Sequence, residues 1–212
     1  MSARWTRDDF ALPADRLAPA LLGQRLVHVV RGARRAGIIV ETEAYLGPDD
    51  LASHAAGGRR TARTEPMWGA PGLAYVYLSY GIHRCMNVVG GSTHNAHAVL
   101  LRALEPVEGL PAIRRARTRP GAKRPLKDRD LASGPGKLCQ ALAITERLTA
   151  ADLAAHHALF IERADPPDPA AVTRAPRIGL GPAGDWTHAP LRWLIRNNPC
   201  VSRPAPRPPI TR

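Results

Sequence analysis

The four tyrosines of this chain all lie between residues 45 and 80, although aromatic residues make up only 5% of the sequence. Tyr75 and Tyr77 are two residues apart in a run typical of a strand, so their rings project from one face of it. Tyr80 has the opposite parity and follows where that strand turns. Rings placed in this way could form a stacking pocket for a nucleic-acid base beside an exposed aromatic wedge. Because tyrosine suits strands in general, the spacing also fits a purely structural role.

Two acidic residues and one arginine could carry out proton transfer. Glu41 and Glu43 are separated by one residue on a predicted strand, so both side chains face the same side. A carboxylate just before a long loop is a candidate general base, and the same pair would also suit a solvent-facing strand edge. Arg102 interrupts the apolar run at 99–104 and must find an acidic partner if it is buried. Pairing with Glu41 or Glu43 would satisfy both, whether the role is catalytic or structural.

Signals for other chemistry are weaker. The eight histidines and three cysteines show none of the spacings typical of a metal site or a disulfide framework. We therefore expect no metal and no cofactor, and we expect the cysteines to be buried as small hydrophobic residues. The sequence also lacks the nucleophile elbow, the Walker loop and the dinucleotide fingerprint. The segment Ser133–Lys137 precedes a predicted helix and could bind a phosphate through helix N-terminal amides, although an ordinary helix start fits as well.

Length and charge bound the class of protein. A chain of 212 residues predicts one domain, and a net charge of +12 favours a polyanionic partner. Nucleic acid is preferred over an anionic membrane because no basic amphipathic helix stands out, although a coding bias towards arginine would also make the chain basic. The sequence has no apolar run near the ~18 residues that a membrane span requires. With Asp8 and Asp9 where a signal peptide would be apolar, we expect a cytoplasmic protein.

Hydrophobic periodicity and turn residues predict the elements that must position these groups. They predict helices at 14–22, 106–117 and 133–143, a turn at 32–35 and a long loop at 46–72. They predict strands at 25–30, 36–42, 73–80, 84–89, 97–104, 159–162, 177–180 and 191–196. Strands joined mostly by hairpins indicate a single α+β domain at 1–203, a roll around a curved, largely antiparallel β-sheet with a few helices and a protruding β-hairpin. The Pro- and Arg-rich tail at 204–212 is predicted to be disordered.

Four segments, in order, resemble the 3-methyladenine (alkyladenine) DNA glycosylase family of bacteria and mammals. They are VETEAYLGPDD at 40–50 with His54 after it, YVYLSYG at 75–81 running into CMN at 85–87, LLRALEP at 100–106, and SGPGKLCQAL at 133–142. The resemblance extends from about residue 10 to 203. It implies a monomeric enzyme that flips damaged purines, such as 3-methyladenine, 7-methylguanine, hypoxanthine or ethenoadenine, out of double-stranded DNA and hydrolyses the N-glycosidic bond. This reaction initiates base excision repair, and we expect no accompanying strand-nicking lyase activity.

The resemblance also implies roles for individual residues. Glu43 matches the general base that activates the attacking water, and Arg102 matches the arginine that helps to hold that water. Tyr45 and Tyr77 match the rings that sandwich the flipped base. The other matched residues are His54 and Tyr75 at the pocket, Asn87 against the 2-amino group of normal guanine, Tyr80 as the wedge with Ile82 and His83 beside it, and Arg59, Arg63 and Lys137 near the DNA backbone.

The implied chemistry is physically coherent. Extruding a damaged base costs less than extruding a paired normal one, and stacking in an aromatic slot offsets that cost. An alkylated, cationic purine gains further attraction from the rings. Other classes stay open: a non-catalytic nucleic-acid binding module on the same scaffold, which would need the rings but not the acid, and an RNA-directed hydrolase. The segment after Gly81 is less aromatic than in mammalian members, and the loop at 90–96 matches nothing, so lesion preference is left open.

Overall fold

The computed structural model describes residues 3–118, 120–122 and 124–202. The tail at 204–212, together with residue 203, lies outside the described residues, so its predicted disorder is not addressed. The helices are α1 (Arg7–Phe10), α2 (Ala14–Ala20), α3 (Leu110–Arg117) and α4 (Pro135–Ala141). The strands are β1 (Arg25–Val30), β2 (Ala33–Leu46), β3 (Ala74–Ser79), β4 (His83–Gly90), β5 (His97–Glu108), β6 (Leu159–Glu162), β7 (Val172–Ala175) and β8 (Arg192–Ile195).

The strands form one antiparallel sheet with β2 near its centre. The main order is β3-β4-β5-β2-β1-β6, and β8 joins β2 beyond the end of β1, with β7 on the outer side of β8. The sheet curls into a half-barrel that few helices accompany, which confirms the predicted α+β roll. Within the described residues, no helix is both long enough and apolar enough to cross a membrane.

Strand β2 changes partner at the point where it carries the acidic residues. Its first half pairs with β1 and its second half pairs with β8, while β5 runs along the other edge. The pairing with β5 is irregular between Ile39 and Thr42, and such bulges re-aim side chains. Glu41 and Glu43 consequently both reach Arg102, while the hydroxyl of Thr42 donates to the carbonyl of Ala18 in α2.

Apolar clusters on both faces of the sheet hold this central strand in place. The main core lies between the sheet and helices α2, α3 and α4, where Leu17, Ile113 and Leu138 are fully buried. A separate cluster that includes Met67, Tyr75, Val89 and Ala98 lies beneath the tyrosines of β3. The rings of β3 therefore rest on packed apolar side chains rather than on solvent.

The hairpin of β3 and β4 presents Tyr80 at its tip. Tyr80 and Gly81 have positive φ angles of 49° and 68°, and the amide of Ile82 donates to the carbonyl of Ser79 at 3.0 Å. Two successive left-handed residues give the type I′ turn that suits a twisted hairpin, and glycine takes the second position without strain. Next to this turn, at the start of β4, a Cβ on Gly136 would lie 3.1 Å from the His83 side chain, so glycine allows α4 to approach β4 closely.

Several predicted boundaries are wrong. The predicted strand at 177–180 is irregular, and the strand that pairs with β8 is β7 at Val172–Ala175. The turn predicted at 32–35 lies one residue earlier, with Arg31 and Gly32 in the left-handed region, so β2 begins at Ala33. The helix predicted from residue 106 begins only at Leu110, because β5 continues through Glu108. The loop at 46–72 contains short 3-10 helices at Gly47–Asp49, Ala56–Gly58 and Glu65–Trp68.

Candidate active site

A cavity of about 530 Å³ opens beside the hairpin of β3 and β4. Four structural parts form its walls: the end of β2, strand β3 with its turn, the segment at 51–67 and the irregular segment at 179–183. The site residues predicted from sequence that line the cavity are Tyr45, His54, Arg63, Tyr75, Tyr77, Tyr80 and Asn87. The structure therefore brings together seven residues that are spread over more than forty positions of the chain.

The rings in the cavity form a connected aromatic surface. Tyr75 and Tyr77 are neighbours on one face of β3, with ring centroids 5.3 Å apart. The His54 and Tyr77 rings make an edge-to-face contact with their centroids 4.6 Å apart. The Nδ1 of His54 lies 2.9 Å from the Tyr75 hydroxyl. Tyr45 lines the same cavity from the end of β2. A volume of this size bordered by rings suits a flat aromatic ligand, such as a purine.

His54 is neutral at physiological pH. Burial, together with the smaller effect of the nearby cations Arg63 and Arg59, lowers the pKa of His54 to about 4. A neutral imidazole adds no positive charge to the cavity wall, and one of its nitrogens can still accept a hydrogen bond. Burial also raises the pKa values of Tyr75 and Tyr77, so both phenols keep their protons.

Glu43 lies behind the cavity wall and is fully buried. Its Oε1 accepts the backbone amide of Ile178 at 2.7 Å, and its Oε2 accepts the hydroxyl of Tyr45 at 3.0 Å. The Arg102 Nη1 lies 3.1 Å from the same Oε2. Burial raises the pKa of Glu43, and the charge of Arg102 opposes that shift without cancelling it. The alternative of a solvent-facing strand edge is therefore wrong for this carboxylate.

Arg102 joins Glu43 to a second buried carboxylate. Its Nε lies 3.3 Å from Glu41 Oε1, and Glu41 also accepts from the Arg192 guanidinium at 2.9 Å and the Ser202 amide at 2.7 Å. The pairing of Arg102 with an acid was predicted, and the structure gives it both carboxylates. The two acids differ in surroundings, because Glu43 contacts Tyr45 of the cavity wall, whereas Glu41 contacts Arg102, Arg192 and the Ser202 amide.

Asn87 lies at the floor of the cavity in β4. It faces Tyr75 across the β3–β4 ladder, and its Nδ2 donates to the Tyr75 carbonyl at 3.1 Å. The side chain is almost completely buried. This bond uses one of the two amide hydrogens and fixes the orientation of the side chain, which lines the cavity.

Comparison with known proteins decides the family. The sequence matches the family profile described as methylpurine-DNA glycosylase over residues 8–199. The chain belongs to the methylpurine-DNA glycosylase family. It is 50% identical over 199 residues to the human DNA-3-methyladenine glycosylase, a match that covers 91% of this chain and 66% of the human protein. It is 49% identical to the mouse protein of the same name, with 95% of this chain and 62% of the mouse protein covered.

A bacterial relative matches over a larger share of its own length. The putative 3-methyladenine DNA glycosylase of Bacillus cereus strain AH820 is 45% identical over 190 residues, which are 88% of this chain and 93% of that protein. The chain thus spans less than two thirds of the two mammalian relatives and nearly the whole of the bacillus protein. The match of four motifs to this family, inferred from the sequence, is confirmed.

In this methylpurine-DNA glycosylase family member, the residues predicted to contact DNA lie at the rim of the cavity or outside it. Tyr80 and Ile82 expose 85% and 70% of their surface at the hairpin tip, and His83 is exposed beside them. Arg59 is exposed, and the Arg63 guanidinium lies 4.9 Å from the centroid of the Tyr77 ring, so Arg63 forms part of the cavity wall.

Lys137 is separated from the aromatic cavity. It is exposed on α4, where its Nζ donates to the Ser133 hydroxyl at 3.2 Å. It borders a second, smaller cavity of about 310 Å³ that Arg102 and Ser202 also line. Lys137 and Arg102, predicted as a phosphate contact and a catalytic residue, thus share a wall on the far side of the buried carboxylates.

Several residues that build this site could not be predicted from the sequence. Asp50 and Arg177 form a fully buried ion pair, and the amide of Ile178 contacts Glu43 although its segment was predicted to be a strand. Asp50 and Arg177 are 127 positions apart, so no local spacing could have joined them. Among the described residues, no group of three or more His, Cys, Asp or Glu side chains could hold a metal ion. All three cysteines are free and buried, which confirms their predicted environment.

Proposed function

We propose that this chain is a monofunctional DNA glycosylase that flips damaged purines out of double-stranded DNA and hydrolyses their N-glycosidic bond. The observation that carries the proposal is the buried Glu43 carboxylate, held by Arg102 and bonded to Tyr45 in the wall of an aromatic cavity. Rings alone would suit a protein that only binds bases. An acid that burial has made more basic, placed directly behind those rings, is what a hydrolase requires.

Stacking would hold the flipped base in the cavity. Tyr45 and Tyr77 both line it, and each base stacked on an aromatic ring gains about 1–3 kcal/mol. The neutral His54 adds no repulsion against a base that carries positive charge. Asn87, held by the Tyr75 carbonyl, is a rigid group against which the extra amino group of a normal guanine would collide.

Glu43 keeps one acceptor position for a water molecule. A carboxylate offers about four acceptor positions, and three donors occupy it among the described residues: the Ile178 amide, the Tyr45 hydroxyl and the Arg102 guanidinium. A water at the fourth position would attack C1′ of the sugar and give its proton to Glu43. The glycosidic C–N bond breaks, and its electron pair leaves with the base.

Contacts on the DNA side would keep the base extruded. Tyr80 projects from a rigid type I′ turn and is exposed enough to fill the gap left in the duplex. The net charge of +12 favours the phosphate backbone, and we propose that Arg59, Arg63 and Lys137 contribute to that attraction. No lysine lines the aromatic cavity among the described residues, so water rather than an amine is the proposed nucleophile. The monomeric state and the cytoplasmic location stay predictions.

Single-turnover excision tests this proposal. End-labelled duplexes that contain one hypoxanthine, one 1,N6-ethenoadenine or one 7-methylguanine are incubated with excess protein and then treated with alkali. Cleavage only after alkali, lost in Glu43→Gln, supports a monofunctional glycosylase. Cleavage without alkali would contradict the absence of lyase activity. Binding to these duplexes without excision of any of the three bases would support the non-catalytic binding module instead.

A further inference from the structure

A buried ion pair lies directly behind one of the rings of the cavity. The guanidinium of Arg177 contacts both carboxylate oxygens of Asp50, with Nη2 to Oδ1 at 2.9 Å, and neither side chain has any exposed surface. The Cζ of Arg177 lies 4.7 Å from the centroid of the Tyr45 ring. Because Tyr45 lines the cavity and Arg177 is fully buried, the guanidinium covers the ring from the protein side.

The pair also joins two walls of the cavity. Asp50 accepts the amides of Leu46 and Ala52 at 3.1 and 3.0 Å, and so fixes the start of the loop that leads to His54. Arg177 donates to the Ala44 carbonyl at 2.9 Å, and it directly precedes the segment at 178–183 that forms the opposite wall. These contacts place the Tyr45 ring between two segments that the pair holds together.

Not every hydrogen-bond donor of Arg177 has an acceptor in the part of the chain that the structure describes. Its Nε is buried and has no acceptor among the described residues, which is uncommon for a buried polar atom. The contacts with Asp50, with the Ala44 carbonyl and with the Tyr45 ring therefore set the position of the guanidinium. A cation on one face of a ring attracts its π-electrons, and this weakens the attraction of the opposite face for a second cation. The Asp50 carboxylate balances that charge.

We propose that the Arg177–Asp50 pair positions the Tyr45 ring and sets its electrostatic character, and thereby determines how strongly the cavity prefers a cationic alkylpurine over a neutral damaged purine. The inference rests on the proposed glycosylase function. Arg177 and Asp50 act through Tyr45 and are positioning residues, since neither reaches the cavity. The net charge of Arg177 and Asp50 behind the Tyr45 ring determines the preference between cationic and neutral bases.

Two variants that remove opposite charges test this inference. Asp50→Asn leaves a positive charge behind Tyr45, so the ratio of 7-methylguanine excision to hypoxanthine excision should fall about tenfold. Arg177→Gln removes the positive charge that lies 4.7 Å from the centroid of the Tyr45 ring. The same ratio should then rise by a similar factor. A purely structural role would lower excision of both bases together and would leave the ratio unchanged in both variants.

Further variants keep the test decisive if one of these proteins does not fold. Arg177→Lys keeps the charge, so it should slow excision of both bases while the ratio stays within about twofold of wild type. Glu108→Gln is the matched control, because it removes one acid from the partly exposed Arg34–Glu108 pair at the far end of β5, and its ratio should equal that of wild type. Folding of each variant is checked by circular dichroism.

The outcomes separate this inference from the proposed function. If the wild-type protein excises neither base, the proposed function fails, and the inference fails with it. If the wild-type protein excises both bases, shifts of the ratio in opposite directions for Asp50→Asn and Arg177→Gln support the inference. An unchanged ratio, a shift in the same direction, or a changed ratio in Arg177→Lys would overturn it while leaving the glycosylase function intact.

Discussion

Replacing Glu43 with glutamine removes the charge of the proposed base and keeps its shape. The side chain is fully buried and does not line the cavity, so the substitution removes no contact with a bound base. The new amide nitrogen can face the Tyr45 hydroxyl, which can turn to accept a hydrogen bond. Arg102 keeps its second partner, Glu41. We therefore expect Glu43→Gln to fold and to bind lesion DNA within about threefold of wild type.

The expected loss lies in the chemical step. A positioned general base contributes about 10²–10⁴-fold to a rate, which corresponds to about 2.7–5.4 kcal/mol of transition-state stabilisation at about 1.36 kcal/mol for each factor of ten. Excision of hypoxanthine depends strongly on the water, since the neutral purine is a poor leaving group. We therefore expect the loss of excision rate in Glu43→Gln to lie in the upper part of this range for hypoxanthine. For the cationic 7-methylguanine, we expect a loss in the lower part.

The same substitution should change how stability depends on pH. Burial raises the pKa of Glu43 above its usual 4.5, so the folded chain binds this proton more tightly than the unfolded chain does. Ionisation of Glu43 therefore destabilises the fold as the pH rises from 4.5 through the raised pKa. Glu43→Gln has no such ionisation. Its melting temperature relative to wild type should be higher at pH 7.5 than at pH 4.5, as measured by thermal unfolding.

Two assays on the same hypoxanthine duplex test the effects of Glu43→Gln on catalysis and binding. Single-turnover excision measures the loss of rate, and fluorescence anisotropy measures the affinity for lesion DNA. Glu41→Gln is the matched control, because Glu41 is buried on the same strand and contacts the same arginine, whereas the Tyr45 hydroxyl and the Ile178 amide donate to Glu43. The reasoning would be refuted if Glu43→Gln kept more than about a tenth of the wild-type rate while Glu41→Gln abolished excision. The general base would then be the other carboxylate.

The remaining predictions concern the exposed Tyr80, the positive charge of the chain and the partly buried His54. Tyr80→Ala should weaken binding more for a lesion in a matched pair than for one in a mismatch, because pairing opposes extrusion; equal losses in an anisotropy assay would argue against a wedge. The logarithm of lesion-DNA affinity should fall linearly with the logarithm of salt concentration, and a flat response would undercut the role of the basic surface. The pKa of His54 is about 4 instead of the usual 6.5, so wild type should lose stability as the pH falls from 6.5 towards 4. His54→Gln should lack that part of the loss in thermal unfolding, and identical pH profiles would contradict the assignment.

The sequence predicted the parts of the site that depend on local periodicity. The two-residue spacing of Tyr75 and Tyr77 places both rings on one face of β3. Tyr80, which has the opposite parity, lies at the turn that follows the strand. The need of a buried arginine for an acid predicted the partner of Arg102. Each of these inferences follows from strand geometry or from the cost of burying a charge.

The features that the sequence did not reveal depend on long-range pairing. Glu41 and Glu43 have the same type and parity, so periodicity does not separate them; the resemblance named Glu43, and the two differ in their contacts in the folded chain. The segment at 177–180 contains residues that suit a strand, but β7 already pairs with β8, and Gly179 has a positive φ of 76°. Irregular backbone there leaves the Ile178 amide free to contact Glu43, and tertiary contacts of this kind override local propensity.

The position of β2 in the sheet has a consequence for the order in which the fold comes apart. The strand that carries Glu43 is bonded to β5 on one edge and to β1 and β8 on the other, so its amides cannot exchange with solvent through fraying at a sheet edge. Segments enclosed in this way exchange hydrogen only when the whole domain opens. The proposed base therefore belongs to the last part of the fold to come apart, and the β2 amides around Glu43 should be among the slowest to exchange.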